Sequence, residues 1–364
     1  MKYRQTYAVI HLDNLVFNYN LIKKHSNKNV FCVCKADAYS HGDIEVANTF
    51  LECGADYICV SSIDEAKSLR LQGYKGSLLI LGYVDASCVN YAIDNDITLS
   101  VFSLEWLETV VASFDASKLK IHLKIDTGMN RIGMKNLSEV KDVMSFLKKH
   151  KIEVEGIFTH FHSTDKTSCD KQVKWFYAIV DSLNYDFKWI HTSNSAGTLG
   201  YDDPRSNAVR PGIALYGIDV VDSQIGLKPA FSLYSQVSYC KKITAGESVS
   251  YDATYKAVKD MYILTLPIGY GDGFLRKNTG RFVGIDGHPY EIVGSVCMDQ
   301  MMIRADKEFP VGTEVEIIGE CIPLIKMANE LGMSPYEVLC LFNTRIMKKY
   351  KKNGEIIKDV HERL

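Results

Sequence analysis

The sequence predicts an α/β fold, an N-terminal (β/α)8 TIM barrel followed by a C-terminal mainly β domain. Three observations carry this reading. Apolar strand-like runs alternate with longer, polar-punctuated segments through the first 220 residues; the runs number eight; and after Lys228-Pro229 short runs follow one another directly, parted by Gly-rich turns. Strands alternating with helices imply a parallel sheet, and eight such units are the count of a closed barrel. An open doubly wound sheet is the alternative, but no GxGxxG follows the first strand, so a dinucleotide fold lacks its fingerprint.

The eight runs are 30–36, 56–60, 77–81, 98–101, 119–125, 154–159, 188–192 and 209–216. Helical segments are expected between them at 63–72, 104–113, 137–150 and 170–183. Beyond residue 230 the strand runs are 233–243, 261–266, 281–285, 290–293, 301–304 and 314–318, with turns such as Gly269-Tyr-Gly-Asp-Gly273 and Asp286-Gly-His-Pro289 between them. This spacing predicts a mainly antiparallel domain. The chain is expected to turn helical from Pro323, with Pro335 in the first turn of the last helix. The domains are set at 1–230 and 231–364, with residues 1–11 expected to pair with the second.

Composition narrows the function. A net charge of −2 gives no electrostatic argument for nucleic acid or an anionic membrane. No apolar run approaches a membrane span, and the start lacks the apolar core of a secretory signal, so a cytoplasmic protein is expected. The ten cysteines are scattered, without CxxC pairs, which argues against structural zinc and a disulfide framework.

The unusual polar residues fall at the C-terminal ends of the barrel strands, where such barrels gather their chemistry. Lys35 ends the first run. Lys124 and Arg131 bracket the end of the fifth and its loop, His160 ends the sixth, Asn194 and Ser195 follow the seventh, and Arg210 opens the eighth. A lysine ending a buried strand is either desolvated, which makes its amine a nucleophile toward carbonyls, or snorkels to solvent. Ser195 and the N–H groups near Gly212 and Ile213 suit a phosphate, although His191 to Ser195 also reads as a helix cap. His160 and His162 share one side of an extended segment, yet no third metal ligand follows at a useful spacing.

In combination and order, these motifs resemble the alanine racemase family over nearly the whole chain. They are Lys35-Ala-Asp-Ala-Tyr39, Lys124-x-Asp-Thr-Gly-Met-x-Arg131, His191-x-x-Asn-Ser195 and Arg210-x-Gly-Ile-x-x-Tyr-Gly217, then Ser-Tyr251-x-Ala-Thr-Tyr255, Gly-Tyr270-Gly-Asp-Gly273 and Cys297-Met-Asp-Gln300. The resemblance implies a homodimer that interconverts L- and D-alanine on an aldimine of pyridoxal 5′-phosphate, supplying D-alanine for peptidoglycan. Lys35 would carry the cofactor and serve one face of the α-carbon, and Tyr251 of the second subunit the other. Arg210 would face the pyridine nitrogen, held by His160. Tyr39, Ser195, Gly212, Ile213 and Tyr336 would bind phosphate, with Asn194 beside them. Arg131 would contact cofactor and substrate, positioned by Lys124, which in this family can be carbamylated. Met298 would meet the substrate carboxylate and Tyr270 would line the entrance.

The chain departs from the family pattern at Asp37 and Ser40, where Asn and Gly are common, and at Asp252, where Gly is common. Those departures put substrate choice and rate in question. A serine or broad-specificity racemase is the nearest alternative. A decarboxylase on the same architecture fits Ser-Tyr251-x-Ala-Thr less well. A non-catalytic pyridoxal-phosphate carrier has no use for the β domain or a second base.

Overall fold

Strand β1 (Tyr7–His11) precedes eight short strands that are almost entirely buried. These are β2 (Asn29–Val33), β3 (Tyr57–Val60), β4 (Leu78–Ile80), β5 (Ile97–Val101), β6 (Ile121–Lys124), β7 (Val154–Phe158), β8 (Trp189–His191) and β9 (Ala208–Val209). In the computed structural model, which describes residues 4–361, they form a closed parallel barrel in sequence order. It closes where Asn29 and Val30 pair with Ala208 and Val209. Parallel strands covered by helices are buried on both faces, which is why they read as continuous apolar runs rather than alternating ones.

The helices return along the barrel with ordinary start signals. Ser62, Ser103 and Asp165 accept backbone N–H groups at the starts of Ile63–Leu71, Leu104–Ser113 and Lys166–Leu183. The last of these begins four residues earlier than the sequence suggests, because Asp165 supplies the cap.

The eighth run is the main correction inside the barrel. Only Ala208–Val209 is strand. The chain then turns at Pro211-Gly212, and Ile213–Tyr216 is a 3-10 turn. An apolar run of eight residues does not distinguish strand from a buried turn. Arg210 therefore follows the strand instead of opening it.

By contacts, the described residues fall into two compact units. One holds the barrel, with residues 14–38 and 42–228. The other holds the residues up to Asp13, Tyr39–His41 and everything from Pro229. In the second unit β1 pairs antiparallel with β10 (Phe231–Gln236) and parallel with a strand at Met347–Lys352. That strand and its partner Glu355–Val360 complete a seven-stranded sheet, and neither appears in the sequence reading. The predicted single run 233–243 is two strands, β10 and β11 (Tyr239–Ile243). β11 joins Met261–Leu266 and Met301–Ala305 in a three-stranded sheet. Pro335 does stand in the first turn of helix Pro335–Leu341, with Ser334 as its cap.

Candidate active site

The chain leaves β2 at Val33 and makes a left-handed helical turn. Ala36, Asp37, Ala38, Tyr39 and Ser40 all have φ between 49° and 64°, and none is glycine. Each such residue costs about 1–2 kcal/mol, so the surroundings must hold the turn. Glu65 does so from helix Ile63–Leu71, accepting N–H from Ala36 (2.7 Å) and from Ser61 (2.7 Å). Asp37 accepts from the Asp43 N–H (2.9 Å), and the Ser40 hydroxyl donates to the Phe342 carbonyl (2.9 Å). Lys35 opens this turn two residues beyond the strand, and it is exposed. A desolvated lysine is not what the isolated chain presents. Strain of this kind gathers at functional sites.

Arg210 leaves β9 at the same end of the parallel barrel. Its side chain is buried, 2% exposed. Nη1 donates to His191 Nδ1 (2.8 Å), and Nη2 donates to the carbonyls of Thr159 (2.5 Å) and Thr192 (3.0 Å). The guanidinium lies over the face of Phe158, 5.0 Å from its centroid. Burial pulls its pKa down to about 10, so it stays a cation at neutral pH. Arg210 Nε is buried and finds no partner among the described residues. The ring that bonds the guanidinium is thus His191, a residue the sequence suggested only as part of a motif or cap. Arg210 in turn acts on His160 through space: burial, then the charges of Arg210, Lys124, Arg131 and Lys35, hold the His160 imidazole well below its usual pKa.

Lys124, at the end of β6, is 3% exposed. Its Nζ donates to the Ile125 carbonyl (2.7 Å). Burial, reinforced by Arg210, lowers its pKa to about 7. The following loop is tied by Asp126, whose carboxylate accepts N–H from Gly128 (2.9 Å) and Asn130 (3.1 Å). Burial pushes that carboxyl up, but the two N–H donors win and hold it below its ordinary value. Arg131 ends this loop and is exposed.

Asn194 is indeed a helix cap, accepting the Gly197 N–H (2.9 Å). Ser195 is buried, and its hydroxyl accepts N–H from Gly212 (2.8 Å) and Ala214 (3.3 Å). This brings Ser195, Gly212 and Ile213 to one place in the barrel unit, with the Gly212 N–H directed at the serine.

The second unit holds the remaining candidates. Tyr251 lies in the loop between β12 (Ser248–Val249) and β13 (Tyr255–Lys256). Ser250 anchors the loop through its bond to the Ser295 carbonyl (2.8 Å), over Gly294, where an added Cβ would sit 2.6 Å from the Ser250 Cβ. Asp252 takes the left-handed conformation (φ 58°) usually left to glycine and is exposed. Tyr251 and Met298 line an open cleft of about 720 Å³, with Tyr239 and Gln300, and stand 69% and 54% exposed. Tyr270 is held beside Met298: its N–H bonds the Cys297 carbonyl (3.0 Å), and the Gly271 N–H bonds that of Met298 (2.8 Å). Fully buried Asp272 fixes this loop, paired with Arg4 (2.7 Å) and Arg345 (3.3 Å). The acid sits inside the Gly-rich motif, yet its partners lie at the chain's two ends, so sequence spacing gives no sign of them. Tyr39 and Tyr336 lie together in this unit, ring centroids 6.1 Å apart.

Comparison with known proteins decides the family. The chain matches the family models "Alanine racemase, N-terminal domain" over residues 10–220 and "Alanine racemase, C-terminal domain" over residues 230–350. It belongs to the alanine racemase family. Alanine racemase 1 of Bacillus subtilis is 40% identical, with 98% of this chain and 95% of that protein covered. The fold matches the crystal structure of alanine racemase from Bacillus anthracis with bound L-Ala-P, at TM-score 0.94 and 34% identity over 99% and 98% of the two chains. A histidine racemase from Leuconostoc mesenteroides subsp. sake also matches, at TM-score 0.91 and 28% identity, covering 97% and 99%.

Proposed function

We propose that this protein is a pyridoxal-phosphate-dependent racemase of alanine, acting as a homodimer by two opposed bases. The observation that supports it best is the placement, at one end of the barrel, of an exposed lysine and a buried arginine whose Nε–H has no partner among the described residues. A pyridine nitrogen fits that donor as an acceptor, and an aldehyde fits the amine. Ser195, Gly212 and Ile213 would hold the phosphate group. When bound, pyridoxal phosphate supplies a carbonyl for the substrate amine and an electron sink that acidifies the α-C–H.

The protein residues do the rest. Arg210 would offer a permanent cation to the ring nitrogen, which disfavours its protonation. A weaker electron sink suppresses side reactions such as transamination. Lys35 would move a proton on one face of the α-carbon. Tyr251, from the second subunit, would move one on the other face. The exposure of Tyr251 and Met298 in an open cleft supports this sharing, because a base needs a water-excluded site that the cleft alone does not provide. Lys124, with a pKa near neutrality, presents a partly unprotonated amine able to take up carbon dioxide. The resulting anion would orient Arg131.

The test is to incubate the protein, supplied with pyridoxal phosphate, separately with L-alanine, L-serine and L-histidine and to follow the D-isomers. Rapid D-alanine with little of the others supports the reading. Comparable D-serine moves the protein to a broad-specificity racemase, and no turnover with cofactor bound overturns the substrate.

A further inference from the structure

Arg210 is the start of a hydrogen-bonded chain that continues into the barrel core. His191 Nδ1 is 2.8 Å from Arg210 Nη1, and His191 Nε2 is 2.9 Å from His122 Nδ1. A guanidinium only donates. His191 must therefore present a lone pair at Nδ1 and carry its proton on Nε2. His122 must then accept at Nδ1 and carry its proton on Nε2. Both rings are fully buried. Burial and the Arg210 charge keep them neutral, His122 down at about 3.

The barrel is built to admit this second ring. His122 on β6 faces Gly156 on β7 in register, and a Cβ at Gly156 would lie 2.8 Å from His122 Nδ1. His191 stacks on Phe158 at 4.7 Å and 8°, and Phe31 and Tyr57 close in on His122. His122 Nε2 has no partner among the described residues. An unpaired buried donor is costly. An apolar side chain in its place would avoid that cost, so packing alone does not account for the histidine.

We infer that His122 is a positioning residue: by accepting from His191 Nε2 it fixes the His191 tautomer, which keeps Arg210 aimed at the ligand's ring nitrogen. Without that acceptor, the His191 Nε2–H is left unpaired in the core, and that cost opposes the demand of Arg210 and pushes the proton toward Nδ1. Two donors would then face each other, and the guanidinium would turn. The consequence for turnover rests on the racemase reading above; the tautomers do not.

The test uses two variants of nearly equal size, His122→Asn and His122→Leu. Asn keeps an acceptor near the Nδ1 position, and Leu has none. In wild-type protein with pyridoxal phosphate bound, 15N spectra of labelled histidines should show His191 neutral with its proton on Nε2. H122N should retain that state, whereas H122L should show the Nδ1-protonated form. If the wild type racemises alanine, kcat should fall about tenfold in H122L, the worth of one hydrogen bond, and within about threefold in H122N. A wild-type His191 that is charged or protonated on Nδ1 overturns the inference even if H122L does not fold. So do equal tautomers or equal kcat losses in the two variants. If the tautomers behave as stated and no substrate turns over, the racemase reading fails and the relay stands.

Discussion

The barrel and the β unit treat their functional groups in opposite ways. In the barrel, Arg210, His191 and Lys124 are at most 3% exposed and tied by hydrogen bonds to rings or carbonyls. In the β unit, Tyr251, Met298 and Tyr270 stand 69%, 54% and 42% exposed. Burial shifts charge states and fixes geometry before any ligand arrives. Exposure does neither. The comparison teaches that the barrel holds its groups preorganised, whereas the β unit displays side chains that, in the proposed dimer, would become useful only when a second copy covers them. Lys35 belongs to the barrel yet is exposed, which suits the amine proposed to meet the ligand.

The sharpest break between the two halves comes from Lys35→Ala. It should abolish racemisation and the Schiff-base absorbance of added pyridoxal phosphate. Stability should change by no more than about 0.5 kcal/mol, because the side chain is exposed. Urea melts and cofactor spectra check both. Tyr251→Phe should cut kcat by about a hundredfold or more while leaving cofactor absorbance intact. Unchanged turnover would remove the β unit from the chemistry.

Lys124→Met tests the buried half. Lys124 has a folded pKa of about 7, below its ordinary 10.5, so the unfolded chain binds more protons between these values. Stability from this group therefore rises with pH from about 7 to about 10.5, and the penalty is full below 7. K124M should flatten that rise and be more stable at pH 7 by roughly 1–3 kcal/mol. Melts at pH 7 and pH 9.5 decide it, and a steeper rise in the variant would contradict the burial argument.

How much of this was legible in sequence follows the same division. Barrel strands 30–36 to 188–192 show as apolar runs because they are buried on both faces. His122 was hidden inside one such run, since a ring that alternates with Ile121 and Leu123 looks like any buried residue. The left-handed turn at Ala36–Ser40 was invisible because no glycine marks it; tertiary bonds from Glu65 and Asp37 impose it. The two last strands were missed because Met-Lys-Lys-Tyr-Lys-Lys reads as a solvated charge run, although Lys348 is only 4% exposed. Side-chain identity gave the candidate residues, but not that His191, rather than His160, bonds Arg210.

Smaller effects sharpen the picture. Gly156→Ala should destabilise by about 1–3 kcal/mol through its clash with His122, read as a lower melting midpoint. Asp252→Gly should change stability by less than about 1 kcal/mol in the stabilising direction, by relieving a positive φ. A clear loss would mean that the Asp252 carboxylate holds the Tyr251 loop.

The most direct test of the proposed shared site is to mix K35A and Y251F proteins, allow subunits to exchange, and measure D-alanine formed from L-alanine. Alone, K35A should be inactive and Y251F should keep about a hundredth of wild-type activity or less. A mixed dimer carries one site with both bases intact, so about a quarter of wild-type activity should return at random exchange. If exchange is complete and the mixture stays inactive, Lys35 and Tyr251 do not meet across subunits, and the two-half account is wrong.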